Sequence, residues 1–247
     1  DDSSASSAFG YYANAAASGS TALGFQTVAS TKQATAAGYK ASASGEGATA
    51  LGANAIASNQ STIAISAGPN TTTASGVGSI AIGTNVTSTG TGNIATGANA
   101  NASGNGAIAT GLDSVANGNN ALAVGTNANA TGDNNVALGA GSVTGNRNAL
   151  TSITINGTEV GNNGESSGTA VLAVGNSTSA RQVQYVSAGL ISADSTDAIN
   201  GSQLYNVITV VNSTASTATA AKTTADNAQT TADNAQTTAT SAKTTAD

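Results

Sequence analysis

Four carboxylates, Asp113, Asp133, Glu159 and Glu165, are the side chains on which paired acid–base catalysis would depend. Each lies in a Gly- or Asn-rich turn, where we expect no apolar pocket to shift a carboxyl pKa. The chain has no histidine and no cysteine, which excludes Ser-His-Asp, Cys-His and zinc-type sites. The Gly-rich string GTNVTSTGTG lacks the terminal Gly-Lys-[Ser/Thr] of a phosphate-binding loop. We therefore predict that the protein is not an enzyme and holds no cofactor or metal ion.

Composition and charge restrict both the fold and the partners. Only 7% of the residues are charged and 3% are aromatic, and Ala and Gly are abundant. Such a chain either stays disordered or builds thin, repetitive structures from small side chains. No segment is apolar enough to span a membrane, and the N-terminal DDSSASS is not a signal peptide. The net charge is −6 with the cations scattered singly, which disfavours nucleic acid and anionic lipid as partners; the cations are Lys32, Lys40, Arg147, Arg181, Lys222 and Lys243.

A tetrapeptide of the form x-Ala-x-Gly recurs every fourteen residues in the first 145 residues, and its first residue is Ser or Thr in the first four copies and aliphatic in the later ones. One interval, from Gly52 to Gly83, is 31 residues long, and Ser66 takes the intermediate position. Disorder would not keep this phase, so the pattern predicts a repeat architecture rather than low-complexity sequence. The marker glycines are Gly10, Gly24, Gly38, Gly52, Gly83, Gly97, Gly111, Gly125 and Gly139, and the constant alanines two positions earlier run from Ala8 to Ala137.

Each period contains two short alternating segments, which predict two β-strands. In residues 94–104 the first is Ile-Ala-Thr and the second surrounds Ala100 and Ala102, and a Gly that can turn a corner ends each. Two strands and two corners form one rung of a β-solenoid, and about ten rungs ~4.8 Å apart would make a rod roughly 45 Å long. We expect the aliphatic side chains to fill the roll, and the constant Ala to face a neighbour too close for a larger side chain.

The early rungs carry most of the aromatic side chains of the array: Phe9, Tyr11, Tyr12, Phe25 and Tyr39. Two interpretations remain open. The aromatic cluster is either a layer that caps the end of the solenoid, which we favour, or an adhesive tip.

The fourteen-residue period fails in residues 146–180. The segments SITING (152–157) and AVLAVG (170–175) have strand-like patterns and are joined by TEVGNNGESSG, which we interpret as a loop. This region is predicted to hold a β-hairpin or insert and the last strand of the solenoid, and the sequence indicates no role for it.

The C-terminal segment has the 3-4 spacing of a coiled coil. Its seam is mostly Ala, which contributes only ~0.8 kcal/mol per CH₂-sized group buried, and the Thr, Asn and Asp residues between seam positions are weak helix formers. A single helix is therefore not expected to be stable, and we predict a bundle of identical chains. The predicted core positions are Leu204, Val207, Val211, Ala218, Ala221, Ala225, Ala228, Ala232, Ala235, Ala239, Ala242 and Ala246.

Residues 180–207, ARQVQYVSAGLISADSTDAINGSQLYNV, resemble the neck of the trimeric autotransporter adhesins. Residues 181–189 match the family motif R-Q-[IV]-x-x-V-x-A-G, and residues 195–204 match S-T-D-A-[IV]-N-G-S-Q-L. The fourteen-residue array is similar to the YadA-like head repeat, so the resemblance covers nearly the whole chain. Residues 146–180 depart from a minimal head.

The resemblance implies a homotrimer with a head of three left-handed parallel β-rolls in residues 1–145. It further implies an insert and last head strand in 146–180, a neck in 181–204, and a parallel three-stranded coiled-coil stalk in 205–247. The family is found at the cell surface of Gram-negative bacteria, anchored in the outer membrane by a C-terminal barrel. This chain stops within a running heptad, so we expect it to be part of a longer protein.

The polar residues of the neck are candidates to bridge chains where a wide head joins a narrow coil. The alternative is capping of the stalk helix within one chain, for instance by Asp197 near its start. The bridging candidates are Arg181, Asp194, Asp197, Asn200 and Gln203.

The function implied is that of a surface adhesin, whose repeated faces attach to extracellular matrix, host cells or other surfaces by avidity. A non-adhesive spacer rod is an alternative, because a spacer and an adhesin both need a stiff rod. An ice- or surface-binding solenoid is a remote alternative, since it needs a rank of Thr, whereas the position after the marker Gly varies among Thr84, Ala98, Leu112, Thr126 and Ala140. The sequence assigns no adhesive residues.

Overall fold

The computed structural model describes residues 5–146, 152–155, 158–161, 170–192 and 195–246. The chain divides into two compact units. The first comprises Asp1–Thr151 and Glu165–Gln182, and the second comprises Ser152–Gly164 and Val183–Asp247. The described residues of the first unit form a β-solenoid, and those of the second unit include a short hairpin and a long helix.

Two parallel sheets form the solenoid. Sheet A is eleven-stranded and sheet B nine-stranded, and the chain alternates between them, so each rung adds one strand to each sheet. Sheet A contains β1 (Ser7–Phe9), β3 (Thr21–Leu23), β5 (Thr35–Ala37), β7 (Thr49–Leu51), β9 (Ile63–Ser66), β11 (Ile80–Gly83), β13 (Ile94–Thr96), β15 (Ile108–Thr110), β17 (Leu122–Val124), β19 (Val136–Leu138) and β22 (Leu172–Ala173). Sheet B contains β2 (Asn14–Ala15), β4 (Val28–Ala29), β6 (Ser42–Ala43), β8 (Ala55–Ala57), β10 (Thr72–Ala74), β12 (Thr87–Ser88), β14 (Asn101–Ala102), β16 (Val115–Ala116) and β18 (Asn129–Ala130).

The interior of the roll consists of small side chains. We number each rung from 1 to 14 with the constant Ala at position 3 and the marker Gly at position 5. From the second rung onward, positions 1, 3, 8 and 10 point inward and are buried, and most of them are Ala. The largest fully buried side chains of the described residues are Val86, Asn93 and three threonines. The space between the two sheets therefore admits little more than a methyl group or a short polar side chain.

The prediction that the aliphatic side chains fill the roll is wrong. The constant alanines from Ala22 to Ala137 lie inside the roll with at most 1% exposure, apart from the exposed Ala8 of the end rung. Their aliphatic neighbours, such as Ile80 and Ile94, point to the outer face of sheet A. The prediction was wrong because alternation defines two faces of a strand without saying which one is enclosed.

The corners depend on residues that tolerate a left-handed backbone. The marker glycines at position 5 have φ between 94° and 135°. A Cβ on Gly97 would also lie 2.5 Å from the carbonyl oxygen of Gly111 in the next rung. Position 7 has φ between 53° and 57° in the rungs where it is not Gly, and Asn occupies it most often, for example Asn85 and Asn99. Asn tolerates this conformation better than most residues do, which explains part of the Asn content.

The long interval between Gly52 and Gly83 is absorbed at one corner. Strand β9 ends at Ser66 and strand β10 begins at Thr72, so the additional residues extend the turn from sheet A to sheet B. The amide of Asn54 donates to the carbonyl of Pro69 at 2.6 Å, and the Ser66 hydroxyl donates to the carbonyl of Gly68 at 3.1 Å. The strands on both sides keep their register, since Ile63 pairs with Ile80.

The region after the repeats contains a different hairpin from the one predicted. Strand β20 (Ser152–Ile155) pairs antiparallel with β21 (Thr158–Gly161), which lies in the segment interpreted as a loop. Strand β22, from AVLAVG, instead joins sheet A beside β19 as its last strand. The Asn-Gly dipeptide at 156–157 is a strong signal for a two-residue hairpin turn, and it should have placed a strand immediately after it.

Helix α1 (Gly201–Ala246) begins before the stalk boundary predicted at residue 205. Asn200 precedes its first turn, and the Asn200 Oδ1 accepts a hydrogen bond from the backbone N–H of Gln203 at 3.2 Å. The Gln203 Oε1 in turn accepts one from the N–H of Asn200 at 3.1 Å. This reciprocal pair is a capping box, which fixes the helix start.

Candidate assembly and adhesive surfaces

Two in-register rows of side chains cover the outer face of sheet A, at positions 2 and 4. We call this surface the aliphatic ribbon. Position 2 is Ser or Thr in the first four rungs and aliphatic from Ile63 onward. Its later members are Ile63, Ile80, Ile94, Ile108, Leu122, Val136 and Leu172 at position 2, and Ile65, Ile82, Val124 and Leu138 at position 4.

The ribbon has no covering layer within the chain. Its members are half-buried by their neighbours along the sheet or exposed, as Leu138 and Leu172 are. An uncovered aliphatic strip that runs along many strands exceeds the scattered apolar residues of a normal soluble surface. Its geometry suits burial against a flat apolar surface of similar length.

A second surface consists of three stacked aromatic rings at position 6, which we call the aromatic ladder: Tyr11, Phe25 and Tyr39. The ring centroids of Tyr11 and Phe25 are 5.5 Å apart with a 16° interplanar angle. Those of Phe25 and Tyr39 are 5.6 Å apart with an angle of 8°. All three rings are exposed to solvent, because position 6 lies on the outer side of a corner. Offset stacking of this kind adds stability beyond the area that it buries.

Both ends of the aromatic ladder are flanked by a further side chain. The ring of Tyr12 packs edge-on against Tyr11 with centroids 4.2 Å apart. A side-chain hydrogen bond with Tyr12, and to a lesser extent desolvation, raises the pKa of the Tyr11 phenol above its ordinary value. At the other end, the Lys40 Nζ lies 5.1 Å from the centroid of Tyr39, a cation–π arrangement.

Polar ladders line other corners of the later rungs. The amide of Asn85 donates to Asn99 at 2.9 Å, and the amide of Asn99 donates to the carboxylate of Asp113 at 2.8 Å. At position 13 the backbone N–H of Asn119 donates to the carboxylate of Asp133 at 2.8 Å. Two of the carboxylates considered for catalysis thus accept hydrogen bonds in rung-to-rung ladders. No group of acidic side chains that could hold a metal ion occurs among the described residues.

Arg181 makes its described contacts at the last rungs of its own solenoid. Its guanidinium donates to the carbonyl of Val174 at 2.6 Å, to the hydroxyl of Ser142 at 3.0 Å, and to the carbonyl of Ala140. In the preceding rung, the corresponding carbonyl of Thr126 accepts the backbone N–H of Gly141. Arg181 therefore supplies the donor that a further rung would supply, which caps the open end of the corner.

The other predicted bridging residues of the neck have partners within the second unit. The side chain of Gln203 accepts the N–H of Gly189 at 3.0 Å and donates to its carbonyl at 2.7 Å. The Asp197 carboxylate accepts the N–H of Leu190 at 3.0 Å, so it is Asn200, not Asp197, that caps the helix. The amide of Asn200 donates to the carbonyl of Val186 at 3.1 Å. Asp194 lies outside the described residues.

The predicted coiled-coil core positions lie on a helix with no buried residue. Leu204, Val207 and Val211 are among its exposed apolar side chains, together with the Ala residues of the seam. Thr and Ser side chains between them donate to the carbonyl four residues earlier, as Thr209 does to Tyr205 at 3.0 Å. No described helix is both long enough and apolar enough to cross a membrane.

The residues that match a known family model lie in the solenoid. A family model described as the YadA head domain repeat (2 copies) matches residues 4–27, 18–41, 29–55, 43–65, 70–85 and 116–142. No curated protein matches the chain.

Several solved structures are similar to the chain, among them the following two. The C-terminal YadA-like domain of a Burkholderia pseudomallei protein is 38% identical, over 39% of this chain and 46% of that one, with a TM-score of 0.37. The collagen-binding domain of the Yersinia adhesin YadA is 22% identical, over 80% of this chain and 88% of that one, with a TM-score of 0.48. The chain spans about half the length of the Burkholderia domain.

Proposed function

We propose that the chain, whose solenoid matches the YadA head repeat, is a member of the trimeric autotransporter adhesin family and forms the head and the proximal stalk of a bacterial surface adhesin. It attaches the cell to extracellular matrix, host cells or other surfaces without catalysis. In this proposal three identical chains assemble, and the full-length protein is anchored in the outer membrane of a Gram-negative bacterium.

The observation that carries the proposal is the aliphatic ribbon. Each roll buries mostly small residues and leaves most of its Ile, Leu and Val side chains on the outer face of sheet A. Three copies that turn this face toward a common axis bury three ribbons at once, at ~25 cal/mol per Å² of apolar surface removed from water. The homotrimer is thus the partner arrangement that the ribbon favours.

The second unit supports the same assembly. Its exposed apolar side chains include Val183, Tyr185, Leu190 and Ile191 in the neck. The single helix α1 spans 46 residues without burying one of them. Helices in proteins, however, gain most of their stability from packing one face against another element. A parallel bundle of three helices would bury the seam from Leu204 to Ala246.

Adhesion in this proposal depends on avidity. Three copies present every surface feature three times, and many trimers on one cell present it repeatedly, so that weak contacts combine into firm attachment. The domain boundaries of the proposal are the head in 1–145, the insert and last head strand in 146–180, the neck in 181–204 and the stalk in 205–247.

Adherence of an assembled and an assembly-defective chain tests the proposal. Surfaces are coated with collagen, fibronectin or albumin, or left as bare polystyrene, and bound protein is measured against concentration. We expect the wild-type chain to bind at least one surface better than albumin. Ile94→Asp places a charge in the aliphatic ribbon and should raise the half-saturating concentration at least about ten-fold by removing avidity.

The control is Thr126→Asp, which adds the same charge at the exposed position 6 of a later rung and should bind as wild type does. Binding of the wild-type trimer to none of these surfaces would favour the spacer rod over the adhesin. Equal binding by wild type and Ile94→Asp would contradict the role of assembly.

A further inference from the structure

We propose that the aromatic ladder of Tyr11, Phe25 and Tyr39 binds the sugar rings of an extended, β-1,4-linked neutral glycan. This inference deepens the proposed adhesive function and rests on it, because it assigns a ligand class to one surface of the head. The ladder occupies the three N-terminal rungs, and position 6 of the later rungs is not aromatic. It follows the second interpretation of the aromatic cluster, an adhesive tip.

The stacking of the ladder leaves ring surface available. Carbon atoms in contact are ~3.5–4.0 Å apart, whereas consecutive ring centroids are 5.5 and 5.6 Å apart. The rings are therefore not in close face-to-face contact, and part of the surface of each ring stays uncovered. Tyr11, Phe25 and Tyr39 keep 64%, 42% and 48% of their surface exposed. Uncovered aromatic faces in a straight row suit the C–H faces of successive pyranose rings.

The backbone carbonyls of the ladder are not available to a peptide. The carbonyl of Tyr11 accepts the N–H of Gln26 at 2.9 Å, and that of Phe25 accepts the N–H of Lys40 at 3.0 Å. The carbonyl of Tyr39 accepts the N–H of Asn54 at 2.8 Å. An extended peptide that adds to a sheet edge depends on main-chain hydrogen bonds, and these carbonyls already accept one each from the next rung. A glycan needs only ring faces and side-chain hydrogen bonds.

The ladder is also too narrow for a globular partner. An aromatic side chain buries at most ~150–250 Å², and about half of each ring is already covered, whereas a stable protein interface takes ~800 Å² from each partner. Its neighbours at position 7 are Tyr12, Gln26 and Lys40, of which the last two are polar, and the exposed Phe9 and Leu23 lie two residues before the first two rings. A narrow row of rings with polar side chains beside it fits a linear ligand.

A second copy of this chain does not fit the ladder either. Position 6 continues down the solenoid as Ala98, Leu112, Thr126 and Ala140, without constant size or polarity. The ribbon at position 2, by contrast, is uniformly aliphatic from Ile63 onward. A contact between parallel copies would run the whole length of the rod, so the ladder belongs to the solvent-facing side.

The flanking side chains can hydrogen-bond sugar hydroxyls. Tyr12 supplies a phenol, Gln26 an amide and Lys40 an ammonium group, each from an exposed side chain next to a ring. Positions 5–7 of these three rungs carry no acidic residue. The surface is thus aromatic and polar with a single positive charge, which suits a neutral glycan.

Binding of defined oligosaccharides to the whole chain tests the inference. Cellohexaose and chitohexaose are the extended β-1,4-linked probes, and maltohexaose is the α-linked control whose chain coils. Because the chain has five Tyr and no Trp, tyrosine fluorescence and saturation-transfer NMR both report contacts with the rings. We expect at least one β-linked probe to bind, with a Kd in the range of about 1 mM or tighter, and maltohexaose to bind at least about ten-fold more weakly.

Two ladder variants and one matched control locate the site. Phe25→Ala and Tyr39→Ala should each weaken binding at least about ten-fold, equivalent to ~1.4 kcal/mol. Leu112→Ala removes an exposed apolar side chain from the same position of a later rung and should leave binding unchanged. Thermal melting of each variant verifies that the fold is retained. If Phe25→Ala is unstable, Tyr39→Ala, which changes the end of the ladder, still tests whether the ladder binds the glycan.

The outcomes separate this inference from the proposed function. Adherence of the wild-type chain to coated surfaces without binding of either β-linked probe overturns the glycan inference and leaves the adhesin proposal intact. Equal binding by wild type and ladder variants, or equal binding of maltohexaose, also overturns it. If the wild-type chain neither adheres to any surface nor binds a probe, both the inference and the proposed function are contradicted.

Discussion

At the residue scale, the constant Ala determines how thick the solenoid can be. It lies inside the roll beside other Ala, Ser and Thr side chains, and the largest buried residues among those described are Val86 and Asn93. Two of the buried hydroxyl groups find partners in the next rung: the Thr27 hydroxyl donates to the carbonyl of Gly38 at 2.8 Å, and the Thr72 hydroxyl donates to the carbonyl of Gly83 at 2.7 Å. A side chain with more carbon atoms would have to push the sheets apart.

Enlarging one inward-facing Ala should therefore destabilise the head. Ala109→Leu overfills position 3, and we expect a loss of about 1–3 kcal/mol in the free energy of unfolding, measured by denaturant unfolding followed by circular dichroism. Ala98→Leu makes the same change at an exposed corner and should have almost no effect. If both variants unfold at the wild-type denaturant concentration, the constant Ala does not face a packed interior.

At the element scale, the short strands were predictable and their orientation was not. The fourteen-residue period and the alternation around each constant Ala predicted two strands per rung. Two parallel sheets joined at corners are observed. Which face is enclosed depends on the distance between the sheets and on partner copies, neither of which a single sequence reveals. The hairpin of β20 and β21 and the start of α1 each have a local sequence signal, namely Asn-Gly at 156–157 and the capping pair of Asn200 and Gln203.

Because each rung is one repeating unit, a whole rung should be removable. Deletion of residues 98–111 joins Gly97 to Leu112 and preserves the order of strands and corners, so we expect a folded head with a nearly unchanged melting temperature. Deletion of residues 98–104 removes the strand of sheet B and leaves the strands of sheet A. This half-rung deletion should lower the melting temperature by at least about 5 °C. Equal melting of the two deletion variants would argue against the rung as the structural unit.

The neck allows a test of bridging between chains. The Asp197 carboxylate accepts a hydrogen bond from Leu190 within its own chain, and bridging would engage its charge with another chain in addition. Asp197→Ala should then lower the melting temperature of the trimer, and Asp197→Asn should lower it by less while keeping an acceptor for Leu190. Trimers of Asp197→Ala that melt as wild type does, or an Asn variant identical to wild type, would exclude a charge-dependent bridge.

At the scale of the whole molecule, a single chain leaves most of its large apolar side chains in contact with water. The aliphatic ribbon, the neck and the helix seam are exposed, whereas the interior consists of residues whose burial contributes little each. Identical chains that share one axis would cover all three surfaces. A chain with few aromatic residues and many Ala and Gly can then form a stable fold, because its partners bury the apolar side chains that it cannot bury itself.

The mass of the folded chain in dilute solution tests this account most directly. Sedimentation equilibrium at micromolar concentration, combined with circular dichroism of the same sample, measures mass and order together. We predict a folded particle of three times the 23.3 kDa chain mass. A folded particle with the mass of one chain would show that the small interior is enough to stabilise a single chain. It would contradict assembly through the ribbon, the neck and the helix seam.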